Sequence, residues 1–129
     1  MEIAHIDDIK VMYIIAANGT QGAKEAFDEL ERHVPLKGRK FYGTVLNGEY
    51  RACVAVDDDS EITKTGLSVT TIPGGNYARK KIQDWLRNVR EIGPTFESMA
   101  TQCNEDTSRP RVEFYRSMSD LVLMLPVNE

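Results

Sequence analysis

Cysteine is scarce. Cys53 and Cys103 are the only two, too few for a disulfide framework, and nothing beside them has metal-ligand spacing. Histidine is equally rare, and His5 and His33 read as surface or helix-end residues rather than haem or metal ligands. No metal and no cofactor is therefore expected. Long apolar runs are missing, so no stretch approaches the length needed to cross a bilayer. Met1-Glu2-Ile3-Ala4-His5 lacks the basic start and following apolar run of a secretory signal. The expectation is a cytoplasmic protein without membrane contact. Positive charge is not in excess either: 16 Lys and Arg against 20 Asp and Glu leave a net charge of −4. That balance argues against a nucleic-acid partner, because phosphate contacts need a clustered cationic face. Two short basic clusters, Lys37 with Arg39 and Lys40, and Arg79-Lys80-Lys81, lie beside apolar residues and read as solvated faces.

What is present suits one globular domain. A chain of 129 residues buries about two-thirds of its unfolded surface without staples. Hydrophobic content of 41% and charged content of 28% make disorder an unneeded hypothesis.

The periodicities alternate between strand and helix. Ile3 to Ile6 and Ile9 to Ala16 read as strands rich in β-branched and aromatic residues. Thr20 to His33 has helical spacing, with Ala23, Ala26, Phe27, Leu30 and Val34 on one stripe and Thr20 or Asn18 as cap. Phe27 reads as core. Arg39 to Val45 and Tyr50 to Val56 flank Asn47-Gly48, a hairpin signal because both residues tolerate positive φ. Asp57-Asp58-Asp59-Ser60-Glu61 lacks the spacing and glycine of a calcium loop and reads as a solvated connector. Thr65 to Ile72 and Asn76 to Ile82, around Pro73-Gly74-Gly75, read as a second hairpin. A helix follows from about Asn88 to Cys103, but Pro94 tolerates only a first-turn position, so the helix starts near Ile92 or Gly93 or is built of two pieces. Arg111 to Arg116 and the almost wholly apolar Leu121 to Val127 complete the strands, the last expected at the centre of a covered sheet.

Two halves emerge, about 1–57 and about 65–127. Each has a short strand, a second strand, a helix and two strands in close succession. The match is architectural, since identity between the halves is poor. The expected fold is α+β: two pseudo-symmetric strand-helix-strand-strand units forming an antiparallel sheet layer, with helices on one side and a groove between the units. Such a groove is a common place for a ligand.

Within the second half, alternation along Arg111-Val112-Glu113-Phe114-Tyr115-Arg116 puts Glu113 and Tyr115 on one face, with Val112 and Phe114 on the other. A carboxylate two residues from a phenol reads either as a solvated edge or as a site for a cation.

Several stretches resemble the GyrI-like effector-binding family: Gly38-Arg39-Lys40-Phe41-Tyr42-Gly43, Tyr50 to Val56, Gly66 to Ala78, Val112-Glu113-Phe114-Tyr115 and the closing Leu121 to Val127. The resemblance implies a single small-molecule-binding domain with the E-x-Y glutamate, here Glu113 beside Tyr115, in the groove between units. Aromatic walls would come from Tyr13, Tyr42, Tyr50, Trp85 and Tyr115. The ligand implied is cationic or amphipathic. The site is expected to be asymmetric, with Phe41 or Tyr42 as the first half's counterpart of Glu113. Because no DNA-binding region precedes residue 1, this copy is expected to sense or sequester ligands rather than read an operator. The same resemblance leaves two alternatives open. One is hydrolysis of strained electrophiles with Glu113 as base, which would be the sole catalytic assignment. The other is protein interaction of the gyrase-inhibitor type, with a protein partner or a homodimer.

Overall fold

Asn47 and Gly48 adopt φ of 52° and 80°, the mirror-image turn that matches the twist of paired strands. They join β3 (Phe41–Leu46) to β4 (Glu49–Ala55), with Leu46 opposite Glu49 and Gly43 opposite Ala52. A second hairpin joins β7 (Arg111–Tyr115) to β8 (Asp120–Pro126). The computed structural model describes residues 1–128, and in it the two hairpins meet through antiparallel pairing of β3 with β7.

The remaining strands extend this centre on both sides. β2 (Ile9–Ile15) pairs with β4, and β6 (Gly75–Gln83) pairs with β8. β1 (Glu2–Ile6) and β5 (Ser68–Ile72) form the edges. Among the described residues the result is one curled antiparallel sheet in the order β1-β6-β8-β7-β3-β4-β2-β5. That order is a palindrome of the two halves about the β3–β7 pair, as the pseudo-two-fold repeat requires.

The edges are exchanged between halves. β1 pairs with β6 of the second half, and β5 pairs with β2 of the first. The expected hairpin around Pro73-Gly74-Gly75 is therefore not formed. Its connection packs against the β1–β2 turn instead: the Gly74 N–H donates to Asp8 Oδ1 at 2.6 Å, and a Cβ on Gly74 would come within 2.7 Å of the Ile6 carbonyl oxygen. The two connections cross closely, and each edge strand is carried to the opposite side of the sheet.

Both main helices cover one face. α1 (Ala23–Glu31) packs on β2 and β4 through buried Ala26 and Leu30, with Val34 buried just beyond it. It starts later than the spacing suggests, behind a 3₁₀ turn at Gly19–Gly22, and neither Asn18 nor Thr20 caps it, because Asn18 sits in the left-handed region at φ 61°. Beyond β6, the third helix, α3 (Ile92–Gln102), packs on β8 through Phe96 and Met99. Pro94 is its third residue, where a missing N–H costs no intrahelical bond. Two 3₁₀ turns, Trp85–Arg87 and Val89–Glu91, fill the space between β6 and this helix.

The acidic connector is more structured than its composition suggests. Ser60–Thr65 forms a short helix, α2, closed by Gly66 at φ 68°. Asp57, Asp58 and Asp59 are exposed, but Glu61 turns inward. It takes Arg39 through both guanidinium amino groups at 2.8 and 3.1 Å, and the Arg39 side chain is only 3% exposed. Local spacing could not reveal this pair, because Arg39 lies 22 residues away.

β8 is apolar on both faces, as its sequence requires. Leu121, Leu123 and Leu125 lie under α3, while Val122 and Met124 join Val11, Tyr42, Ile72, Tyr77 and Val112 in a separate core on the face away from the helices.

Candidate functional site

α1 rests on the first half of the sheet and α3 on the second, so the central pair β3–β7 forms the floor between them. The helix face of that floor is set by alternation. Arg111, Glu113 and Tyr115 point toward the helices, and Val112 and Phe114 point away. Directly across from Glu113 stands Gly43.

Glu113 is 5% exposed, an extreme position for a carboxylate. Tyr115 Oη donates to its Oε1 at 2.6 Å, and Tyr50 Oη donates to the same oxygen at 2.7 Å. Among the described residues Oε2 accepts no hydrogen bond, and no cationic side chain pairs with the group. Burial drives the Glu113 carboxyl above its ordinary range, and the hydrogen bonds from Tyr115 and Tyr50 only partly oppose this. Burial, with the nearby negative charge added, raises both phenols as well, so they stay protonated and remain donors.

Two phenols touch the carboxyl, and two further rings pack on them. Tyr50 comes from β4 and is 1% exposed; Tyr115 comes from β7. Phe27 of α1 meets Tyr115 edge-to-face with centroids 5.3 Å apart and Tyr50 at 6.3 Å. Trp85 meets Tyr115 from the other side at 4.9 Å. Its Nε1–H donates to the Ser117 carbonyl at 3.1 Å, which ties the turn after β6 to the β7–β8 connection. Edge-to-face rings present both electron-rich faces and electron-poor edges, and the faces attract cations.

Gly43 makes this arrangement possible. A Cβ there would lie 2.0 Å from Tyr50 Oη and 2.7 Å from Glu113 Oε1. The missing side chain is the space that the phenol and the carboxylate share. An isolated glycine inside a β-rich run signals close approach of this kind, and that signal was available in the sequence.

Of the expected wall residues, Tyr50 and Tyr115 touch Glu113, Trp85 packs behind Tyr115, and two others lie elsewhere. Tyr42 precedes Gly43 on β3 and so points away from Glu113, where it stacks on Phe114 with centroids 5.0 Å apart. Tyr13 packs on the same far face, beneath the Arg51 guanidinium at 4.4 Å. The first-half counterpart of Glu113 is Gly43, not Phe41 or Tyr42, since the β3–β4 and β7–β8 registers superpose Gly43-Ala52 on Glu113-Leu123. Phe27, expected as core, is half-buried and does pack against the first-half core, and its ring also meets Tyr50 and Tyr115 beside Glu113.

The arrangement can do two things chemically. A buried carboxylate without a countercharge attracts a cation far more strongly than it would in water. A carboxyl with a raised pKa and one free oxygen can also take a proton from water.

No protein-family model matches the sequence, and no curated protein matches it significantly. Solved structures do match. An integron cassette protein from the mobile metagenome of Vibrio cholerae superposes with a TM-score of 0.75 at 14% identity, covering 98% of this chain and 95% of that one. The protein SAV2435, bound to tetraphenylphosphonium, superposes at 0.63 with 15% identity over 98% and 93% of the two chains. The C-terminal domain of EcmrR superposes at 0.68 with 10% identity over 99% and 96%. At such identities the likeness shows the fold alone, and that fold agrees with the expected α+β architecture of two strand-helix-strand-strand units.

Proposed function

We propose that the protein is a GyrI-like module that binds cationic, lipophilic small molecules on the sheet floor between α1 and α3. Glu113 supplies the charge, while Phe27, Tyr50, Trp85 and Tyr115 supply the walls. The observation that carries this reading is the buried Glu113 carboxyl, which has two neutral phenol donors and no cationic partner. Leaving a carboxylate in that state costs several kcal/mol, on the order expected for an uncompensated buried charge. A delocalised cation removes the cost, because it carries its charge on apolar groups that lose little hydration on entry. SAV2435, of the same fold, is seen with such a cation.

Both halves would act as one binding unit in this reading, since α1 and β4 contribute two rings and β7 with the turn after β6 contributes the others. The ligand displaces ring contacts to reach Oε2, so rings that re-pack would admit several related cations rather than one. The role is that of a sensor or a sequestering protein.

The direct test uses tetraphenylphosphonium as probe. Trp85 is the sole tryptophan and packs on Tyr115, so its fluorescence should change saturably with the cation. No saturable change at millimolar probe would refute the reading.

A second reading shares the site. The free Oε2 and the raised Glu113 pKa favour a base that activates water against an electrophile, with Tyr50 and Tyr115 holding the carboxylate. Turnover of an epoxide-type electrophile by the protein, lost in Glu113→Gln, would support it; absence of turnover leaves binding alone.

A further inference from the structure

The face of the sheet away from the helices carries a cavity of about 410 Å³ that does not reach Glu113. Its walls include Thr44 of β3, Arg51 and Glu49 of β4, Thr70 of β5 and Ser108 from the loop before β7. The rest is mostly apolar, with Leu46, Ile72 and Pro110 among the lining residues. The Arg51 guanidinium is fixed on two of its sides. Tyr13 covers its plane at 4.4 Å, and Glu49 Oε2 takes the Nε–H at 2.6 Å. Neither terminal amino group donates to a partner among the described residues.

The opposite hairpin is instructive. The cross-strand pair Thr44–Arg51 corresponds in register to Phe114–Val122 of the second half. There Phe114 stacks on Tyr42 and Val122 is buried, which fills the space with apolar groups. The first half instead keeps a hydroxyl and a guanidinium at these positions and leaves a cavity. Oriented guanidinium amino groups flanked by hydroxyls match the geometry of a carboxylate or phosphate. Nearby Cys53 adds no competing negative charge, because burial pushes its thiol up to about 12. Glu49 occupies only the Nε edge and leaves both terminal amino groups of Arg51 free to face the cavity.

We infer that this cavity is a second binding site, for a small molecule that carries an oxyanion on an apolar body, held by the free amino groups of Arg51 with the Thr44 and Thr70 hydroxyls. The two sites lie back to back on the same strands, since Gly43 and Thr44, or Tyr50 and Arg51, are neighbours facing opposite ways. One site favours positive charge and the other negative.

The test is a ¹H–¹⁵N titration of the full chain with phenyl phosphate and with benzoate, which separate phosphate from carboxylate recognition, and with benzyl alcohol as the uncharged ring. The expected result is saturable shifts at Thr44, Arg51, Thr70 and Ser108 with at least one anion and none there with benzyl alcohol. In Arg51→Met the affinity should fall about tenfold to a hundredfold, as for loss of charged hydrogen bonds. Arg51→Lys keeps the stem and charge but not the paired amino groups, and it should weaken binding about tenfold even if Arg51→Met fails to fold. Absence of saturation with both anions, equal shifts with benzyl alcohol, or full affinity in Arg51→Lys would overturn the inference.

Discussion

Replacing Glu113 by Gln removes the charge and keeps the shape. An amide can still accept from Tyr50 and Tyr115, which now donate at 2.7 and 2.6 Å, so the ring cluster should survive. A ligand cation centred about 5 Å from the carboxylate gains roughly 3 kcal/mol at an effective dielectric of about 20. Desolvation of the pair offsets part of that, which leaves a loss of about 10- to 100-fold in affinity for the variant. The assay is Trp85 fluorescence against tetraphenylphosphonium, with triphenylphosphine oxide as the neutral comparator. The cation should weaken and the neutral molecule should not. The pH dependence adds a second arm. Burial raises the Glu113 pKa, so the acid is neutral at low pH and cation binding expels its proton. Affinity of the natural protein should therefore rise with pH until Glu113 is ionised, and Glu113→Gln should be flat. Equal loss for both ligands, or the same pH profile in the variant, would refute the electrostatic role.

Gly43→Ala should cost about 1–3 kcal/mol and reduce cation affinity, because its Cβ displaces Tyr50 from Glu113; thermal melts and the same titration read both effects. Glu61→Ala should cost about 1.5–3 kcal/mol by removing the bidentate partner of the buried Arg39 guanidinium, which keeps Asp57 at 3.1 Å and the Ala55 carbonyl at 2.9 Å, measured as a shift in the urea midpoint. Stability itself should fall as pH rises from the ordinary carboxylate range through the raised Glu113 pKa. In that window the folded state holds a proton that the unfolded state has lost, so ionisation favours unfolding. Denaturation of Glu113→Gln across the same pH range should lack that component.

Much of the local architecture was legible. Asn47-Gly48 named its own turn because few residues accept positive φ twice in succession. Pro94 narrowed the start of α3 to its first turn, since only there is its missing N–H harmless. The apolar run Leu121 to Val127 marked a central strand of a covered sheet, and the structure buries it on both faces. The exchange of β1 and β5 was not legible. Pairing partners there lie more than fifty residues apart, and nothing within Thr65 to Ile82 distinguishes a hairpin from two strands that part around a crossing. The fate of the acidic stretch escaped for the same reason, since Glu61 is drawn inward by an arginine from another element.

The E-x-Y stretch divides along the same line. Alternation on β7 determined from sequence alone that Glu113 and Tyr115 share a face, because side chains of a strand repeat every two residues. Which aromatics meet them was decided by tertiary register. Tyr42 and Tyr50 flank one hairpin and looked equivalent, yet the pairing of Gly43 with Glu113 turns Tyr42 to the far face, and Tyr50 reaches the carboxylate across 63 residues of chain. Burial of Glu113 likewise belongs to the assembled sheet and helices. A carboxylate loses its water only when elements distant in sequence close around it.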